Sequence, residues 1–284
     1  MKRLAVLLLI LPAIPAVAQV PVEVAASGHA TVPVEGPFGV RQFVFDTGAE
    51  GTAVYADFAA SAGLQVGGAE SVQGQTGATD VPLVLLPNVK LDGVTKEAIS
   101  AVRLDRRADG VPLAGIVGID LFGDRVVDFN FPARRLALLP TGRKPTGLTS
   151  KPIRATPIIG GLLTVPVRIG RASAVAVIDT GARKTRINWA LGRLLGIDRA
   201  NIAKGDIIHG ATNQAVETGT ATVHDVWLGA RRLKSAPVLI ADVPVFEVFG
   251  IARRPAIILG LDWLTETRLV IDFPARMVWF EAAR

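Results

Sequence analysis

At 284 residues, half of them hydrophobic, the chain has apolar material for one large or two small domains, which argues against disorder. It contains no cysteine, which excludes disulfides, thiol nucleophiles and thiolate metal sites. The formal charge of +6 comes from Lys and Arg scattered along the chain, so they read as solvated faces and give no argument for nucleic acid.

Met1-Lys2-Arg3 is a basic start, Leu4 to Val17 an apolar run broken by Pro12 and Pro15, and Ala16-Val17-Ala18 a small-x-small cleavage site. The run falls short of the roughly 20 residues a membrane-spanning helix needs, so residues 1–18 read as a cleavable signal peptide and no stable membrane anchor is expected. Cleavage after Ala18 removes Lys2 and Arg3, lowers the formal charge from +6 to +4, and places the mature chain in the periplasm or outside the cell.

Thr31–Val34 and Val40–Phe45 then read as a hairpin joined by Gly36-Pro-Phe-Gly39, and its second strand delivers Asp46 into the turn Asp46-Thr47-Gly48-Ala49. Val54 to Ala62 has helical spacing with a stop at Gly63. Gln73 to Gly77 is polar and glycine-rich, ahead of the apolar run Val81 to Leu86. Gly115-Ile-Val-Gly118-Ile-Asp120 reads as a strand leading into a short helix, with Asp120 expected to cap it. Val126 to Leu136 closes the half as a hairpin around Pro-Ala-Arg. Pro140 to Pro152, rich in Pro, Gly and polar residues, has the composition of a linker.

The second half repeats the first. Val175 to Ile178 leads into Asp179-Thr180-Gly181-Ala182, 133 residues after its first counterpart, and Asn188 to Leu195 repeats the helix with its stop at Gly196. His209 to Asn213 and the alternating stretch from Thr218 to Leu228 stand for the glycine-rich tip and its strand. Ala256 to Leu264 repeats the strand-to-helix step with Asp262, and Val270 to Val278 repeats the closing hairpin. The division that follows is 1–18 signal peptide, 19–140 first lobe, 141–152 linker and 153–284 second lobe.

Two such halves can bring Asp46 and Asp179 together across a pseudo-two-fold axis. Carboxyl groups about 3 Å apart cannot both ionise readily, so they share a proton, and one becomes a base while its partner is an acid. Such a pair can activate water against a peptide carbonyl. The repeated Asp-Thr-Gly-Ala turns at the ends of apolar strands resemble the retropepsin-like aspartic proteases, in which each half donates one aspartate.

The resemblance implies an all-β fold of two β-barrel lobes related by a pseudo-two-fold axis, each with one or two short helices. It implies an aspartic endopeptidase with Asp46 and Asp179 catalytic. Thr47 and Thr180 would lock the two loops together, while Gly48 and Gly181 would let the backbone approach the carboxylates and donate N–H groups to them. The expected substrate contacts are Ala49, Glu50, Ala182 and Arg183 beside the dyad, and Gly74, Gly77 and Gly210 at the tips of two flaps. Glu50 and Arg183 are equivalent positions of opposite charge; they select a substrate polarity or pair with each other, and a cation at 183 would depress the pKa of Asp179.

His29, His209 and His224 show no metal-ligand spacing, and there is no nucleophilic-serine, zinc-helix or phosphate-loop motif, so neither metal nor cofactor is expected. The expected partner is a peptide or protein substrate. Two lobes in one chain point to a monomer that is an intramolecular pseudo-dimer. The alternative is a non-catalytic peptide-binding or scaffold protein on the same fold; the blandest is a duplicated β protein whose Asp turns only stabilise the lobe interface.

Overall fold

A computed structural model describes residues 19–74, 77–209, 215–233 and 235–282; residues 1–18 and the tip residue Gly210 lie outside them. The two closing hairpins meet edge to edge. Val126–Asn130 runs antiparallel to Thr267–Asp272, with Asp128 opposite Val270, and this pairing is the centre of a six-stranded sheet shared by both halves. Arg135–Leu139 and Met277–Ala282 flank it, and the short strands Val20–Pro21 and Ile153–Arg154 finish its two edges. Each hairpin turns at its Pro-Ala-Arg, where Arg134 and Arg276 take φ of 52° and 57°. The Arg268 guanidinium donates twice to the Asp128 carboxylate, at 2.7 and 2.6 Å, tying the halves across the sheet.

Each half is a β lobe, the first built on an eight-stranded and the second on a ten-stranded sheet. In the first, Ala30–Gly36 and Gly39–Phe45 form the expected hairpin, and Gly115–Val117 runs parallel to the second strand, Phe45 beside Val117. The second lobe pairs Ala172–Ile178 with Ala256–Leu259 in the same way, Ile178 beside Leu259. The stretches next to the aspartates, Phe43 to Phe45, Ala176 to Ile178 and Ala256 to Leu259, are buried and read as unbroken apolar runs. Phe45 stacks on Phe122 and Phe129 at ring-centroid distances of 4.5 and 5.7 Å, and Phe122 meets Phe273 of the other half edge-on at 5.8 Å. The core is therefore continuous under the junction.

Among the described residues five short α-helices decorate the lobes: α1 (Ala56–Ser61), α2 (Ile119–Phe122), α3 (Trp189–Leu194), α4 (Val245–Val248) and α5 (Leu261–Leu264). The expected helices 54–62 and 188–195 are α1 and α3, each stopped by a glycine at positive φ, Gly63 and Gly196. Asn188 caps α3 by accepting the Leu191 N–H at 3.0 Å. The alternating stretch 218–228 is two strands, Gly219–Val223 and Val226–Leu228, because Asp225 turns the chain at φ 55°.

The lobes are not equal. The first carries a long hairpin, Val66–Gly74 against Gly77–Leu91, in which Gly74 faces Gly77; its counterpart, among the described residues, pairs in two short pieces, Ala203–Lys204 with Gly219–Thr220 and Ile208–His209 with Ala215–Val216. The second has a longer connection from Leu239 to Leu259 than the first has from Val102 to Val117, and α4 lies in that extra chain. α4 packs against Val66–Gly74, so the long hairpin of one lobe meets the added helix of the other.

Candidate active site

Asp46 and Asp179 sit where their strands end, each held by its own N–H: Asp46 to the Val117 carbonyl at 3.1 Å and Asp179 to the Leu259 carbonyl at 3.0 Å. The threonines cross between lobes. Thr47 Oγ1 donates to the Ile178 carbonyl at 2.8 Å, and Thr180 Oγ1 to the Phe45 carbonyl at 2.6 Å. Each hydroxyl also accepts the other threonine's N–H, at 3.0 and 3.2 Å. All four groups are buried, so the satisfied set holds the two turns in one relation.

This grip presses each glycine against the opposite aspartate. A Cβ on Gly48 would fall 2.6 Å from Asp179 Cγ, and one on Gly181 would overlap the Asp46 carboxylate. The space freed lets the two carboxyls hydrogen-bond to one another. Asp46 also accepts the Gly48 N–H, and Asp179 the Ala182 N–H, both at 2.8 Å. Burial, and then the charge of Asp179, push the Asp46 pKa well above the ordinary carboxylate range. Burial also raises that of Asp179, against the opposing charge of Arg186. Asp179 is 3% exposed, whereas Asp46 is the more open of the two.

The sequence model of the family described as aspartyl protease matches residues 30–121 and again 165–263, about two thirds of the chain. The chain belongs to the aspartyl protease family. No curated protein is similar enough to be counted as a relative. Each match contains one Asp-Thr-Gly-Ala turn and one strand-to-helix step, so the chain carries its family pattern twice in one polypeptide.

Asp120 and Asp262 correct an expectation. The N-caps of α2 and α5 are Gly118 and Gly260, neither with a side-chain cap. The two aspartates instead reach back to the second threonine of each motif. Thr52 donates its N–H and hydroxyl to Asp120 at 2.9 and 2.7 Å, and Thr185 does the same to Asp262 at 2.8 and 2.7 Å. Thr52 and Thr185 then accept the N–H groups of Gly118 and Gly260. These glycines lie so close to the Asp-Thr-Gly-Ala loops that a Cβ would fall 2.6 Å from the Gly51 carbonyl oxygen and 2.8 Å from that of Ala182.

Glu50 and Arg183 both cross the junction. Glu50 lies against Gly160 in the turn preceding the first long strand of the second lobe, and the Arg183 stem packs over Gly28 in the corresponding turn of the first. Ala182 is buried and Ala49 partly so, both on the Asp-Thr-Gly-Ala loops. Gly74 and Gly77 pair across the end of the long hairpin; Gly210 lies outside the described residues.

Two groups of side chains near the dyad escaped the sequence reading. Arg186, 5% exposed, is the arginine whose charge acts on Asp179; a cation inside an otherwise apolar short strand, where the first repeat has Ala53, was its only signal. The second group surrounds Tyr55, which is buried near Asp46. Arg107 donates to its hydroxyl at 2.9 Å and grips Asp109 with two further N–H groups. His29, bonded to Ser27 at 2.8 Å, stands beside Arg107 and Arg183; burial and then those two cations lower its pKa to about 4. A cavity of about 240 Å³, lined by Gln19, Asp128, Arg135, Thr146 and Arg268 among others, includes neither dyad aspartate.

Proposed function

We propose that the protein is an aspartic endopeptidase that hydrolyses extended polypeptide segments through a water activated by Asp46 and Asp179. The reading rests on one observation above all: two carboxyls from opposite lobes are brought against each other by the crossed threonines and the close glycines, and burial raises the pKa of both. The ionised member takes a proton from water as the water oxygen bonds to the peptide carbon. The protonated member gives its proton to the carbonyl oxygen, forming a tetrahedral diol. Proton return to the nitrogen then breaks the C–N bond, releasing an amine and a carboxylic acid and restoring the dyad.

Substrate lies extended under the long hairpin, bound through its main chain, with Ala49, Glu50, Ala182, Arg183, Gly74, Gly77 and Gly210 as contacts. The protein works as a monomer, since one chain supplies both aspartates, and residues 1–18 send it to the periplasm or beyond. The test is incubation of the mature protein with a diverse peptide mixture from acid to neutral pH, beside Asp46→Asn and Asp179→Asn. Cleavage lost in both variants supports the dyad. Cleavage surviving in both sinks it, and binding without cleavage favours a non-catalytic peptide-binding protein.

A further inference from the structure

The two lobes keep the same register around their aspartates. In the second, Val177 pairs with Ile258 and Ile258 with Arg186, so these three form one row across adjacent strands. Side chains of such a row leave on one face of the sheet, and Asp179, two residues beyond Val177, returns to that face. The first lobe has the same row in Val44, Ile116 and Ala53, with Asp46 two residues beyond Val44. The rows differ in kind at one position: a buried methyl in one lobe, a buried guanidinium in the other.

We infer that Arg186 decides which half of the dyad holds the proton, keeping Asp179 as the carboxylate and Asp46 as the acid. A symmetric pair has no preference; a cation on one side stabilises the negative charge there. The charges facing Arg186 are Asp179 from the catalytic loop, Asp262 from α5 and Arg183 from the same loop, and its Nη2 donates to the Lys184 carbonyl at 3.3 Å. Asp46 faces Asp179 and the Tyr55 ring system, with the N–H groups of Gly48 and Gly181 directed to it. No arginine occupies the place on its own sheet that Arg186 has beside Asp179.

This deepens the endopeptidase reading and rests on it for its chemical consequence. Asp179 becomes the base that takes the water proton while the water oxygen bonds to carbon. Asp46, on the more open side, hands its proton to the carbonyl oxygen. Arg186 touches neither substrate nor water in this scheme; it is a positioning residue that acts through Asp179.

The test titrates aspartate carboxyls by carbon NMR in the full mature chain, with Asp46→Asn and Asp179→Asn isolating each member. The expected result is a lower midpoint for Asp179 in the first variant than for Asp46 in the second. Adding Arg186→Met to Asp46→Asn should raise the Asp179 midpoint by about one pH unit or more, and Arg186→Lys should restore most of it. In the active protein, Arg186→Met should move the acid limb of kcat/KM upward by a similar amount. An Asp179 midpoint above that of Asp46, or one indifferent to Arg186→Met, overturns the inference. Should Arg186→Met fail to fold, the order of the two midpoints with Arg186 intact, together with Arg186→Lys, still decides it. The titration needs no turnover, so a protein that cleaves nothing defeats the endopeptidase reading while Arg186 is still judged on its own.

Discussion

Thr180 reaches from one lobe to the Phe45 carbonyl of the other at 2.6 Å, and the same hydroxyl oxygen receives the Thr47 N–H at 3.0 Å. One side chain thus serves a donor and an acceptor, both buried. Thr180→Val keeps the shape and removes both bonds, leaving a buried N–H and a buried carbonyl unpaired. The cost is about 2–4 kcal/mol, read as a fall in Tm of roughly 3–7 °C, and peptide cleavage should fall further because the two carboxyls lose their fixed separation. Thr180→Ser, which retains the hydroxyl, should recover most of both. A loss in Ser with Val unchanged would show that the methyl, not the hydrogen bonds, matters here.

The Asp-Thr-Gly-Ala turns were legible because the whole signal is local: an apolar run, a carboxylate and a glycine within a few residues, repeated at a constant offset. The helices after them were legible for the same reason, with Gly63 and Gly196 as stops. What stayed hidden depends on register between distant strands. Arg186 matters because Ile258 sets it in a row with Val177, and nothing near residue 186 announces that neighbour. Asp120 looked like a cap because its true partner, Thr52, lies 68 residues earlier. The unequal hairpins and α4 break the internal symmetry, so reading one half from the other misses them.

The segment between the lobes has linker composition yet is tied down along its length, most densely near its end. Glu281, 6% exposed, accepts the N–H and hydroxyl of Thr149 at 2.9 and 2.8 Å and those of Ser150 at 2.8 and 2.6 Å. Those bonds hold its pKa below the ordinary value despite burial, which alone would raise it. Glu281→Ala should cost about 2–4 kcal/mol, because four donors lose a charged acceptor together. Limited proteolysis should then cut between 141 and 152 well before the lobes unfold. Unchanged resistance there would mean the linker is held by other contacts.

His29 gives the protein an acid sensitivity of known sign. Its pKa falls from 6.5 in the unfolded chain to about 4 in the fold, from burial first and then from Arg107 and Arg183, with Asp109 opposing. Above pH 6.5 both states hold the neutral ring and nothing is lost. As pH falls from 6.5 towards 4, the unfolded chain binds a proton that the fold refuses, so stability declines through that window. Solvent screening of a partly exposed ring limits the loss to on the order of 1–2 kcal/mol. Urea unfolding of wild type and His29→Gln should show the two curves diverging between pH 6.5 and 4 in favour of the variant. Parallel curves would remove His29 from the account.

Asp46 works in the opposite direction, and the dyad should therefore weigh against stability at neutral pH. Its folded pKa stands well above the unfolded value, from burial and then from the charge of Asp179. Below pH 3.8 both states are protonated and there is no penalty. As pH rises, the unfolded chain releases a proton that the fold retains, and the native state loses ground until the pH passes the folded pKa. Asp46→Asn keeps the size and removes the titration, so it should abolish cleavage while raising Tm by a few degrees at pH 7. At pH 3.5 the same comparison should show little gain, because the wild-type carboxyl is then mostly neutral in the unfolded chain as well. A variant equally stabilised at both pH values would trace the effect to packing, and one stabilised at neither would mean that the buried carboxyl costs the fold nothing.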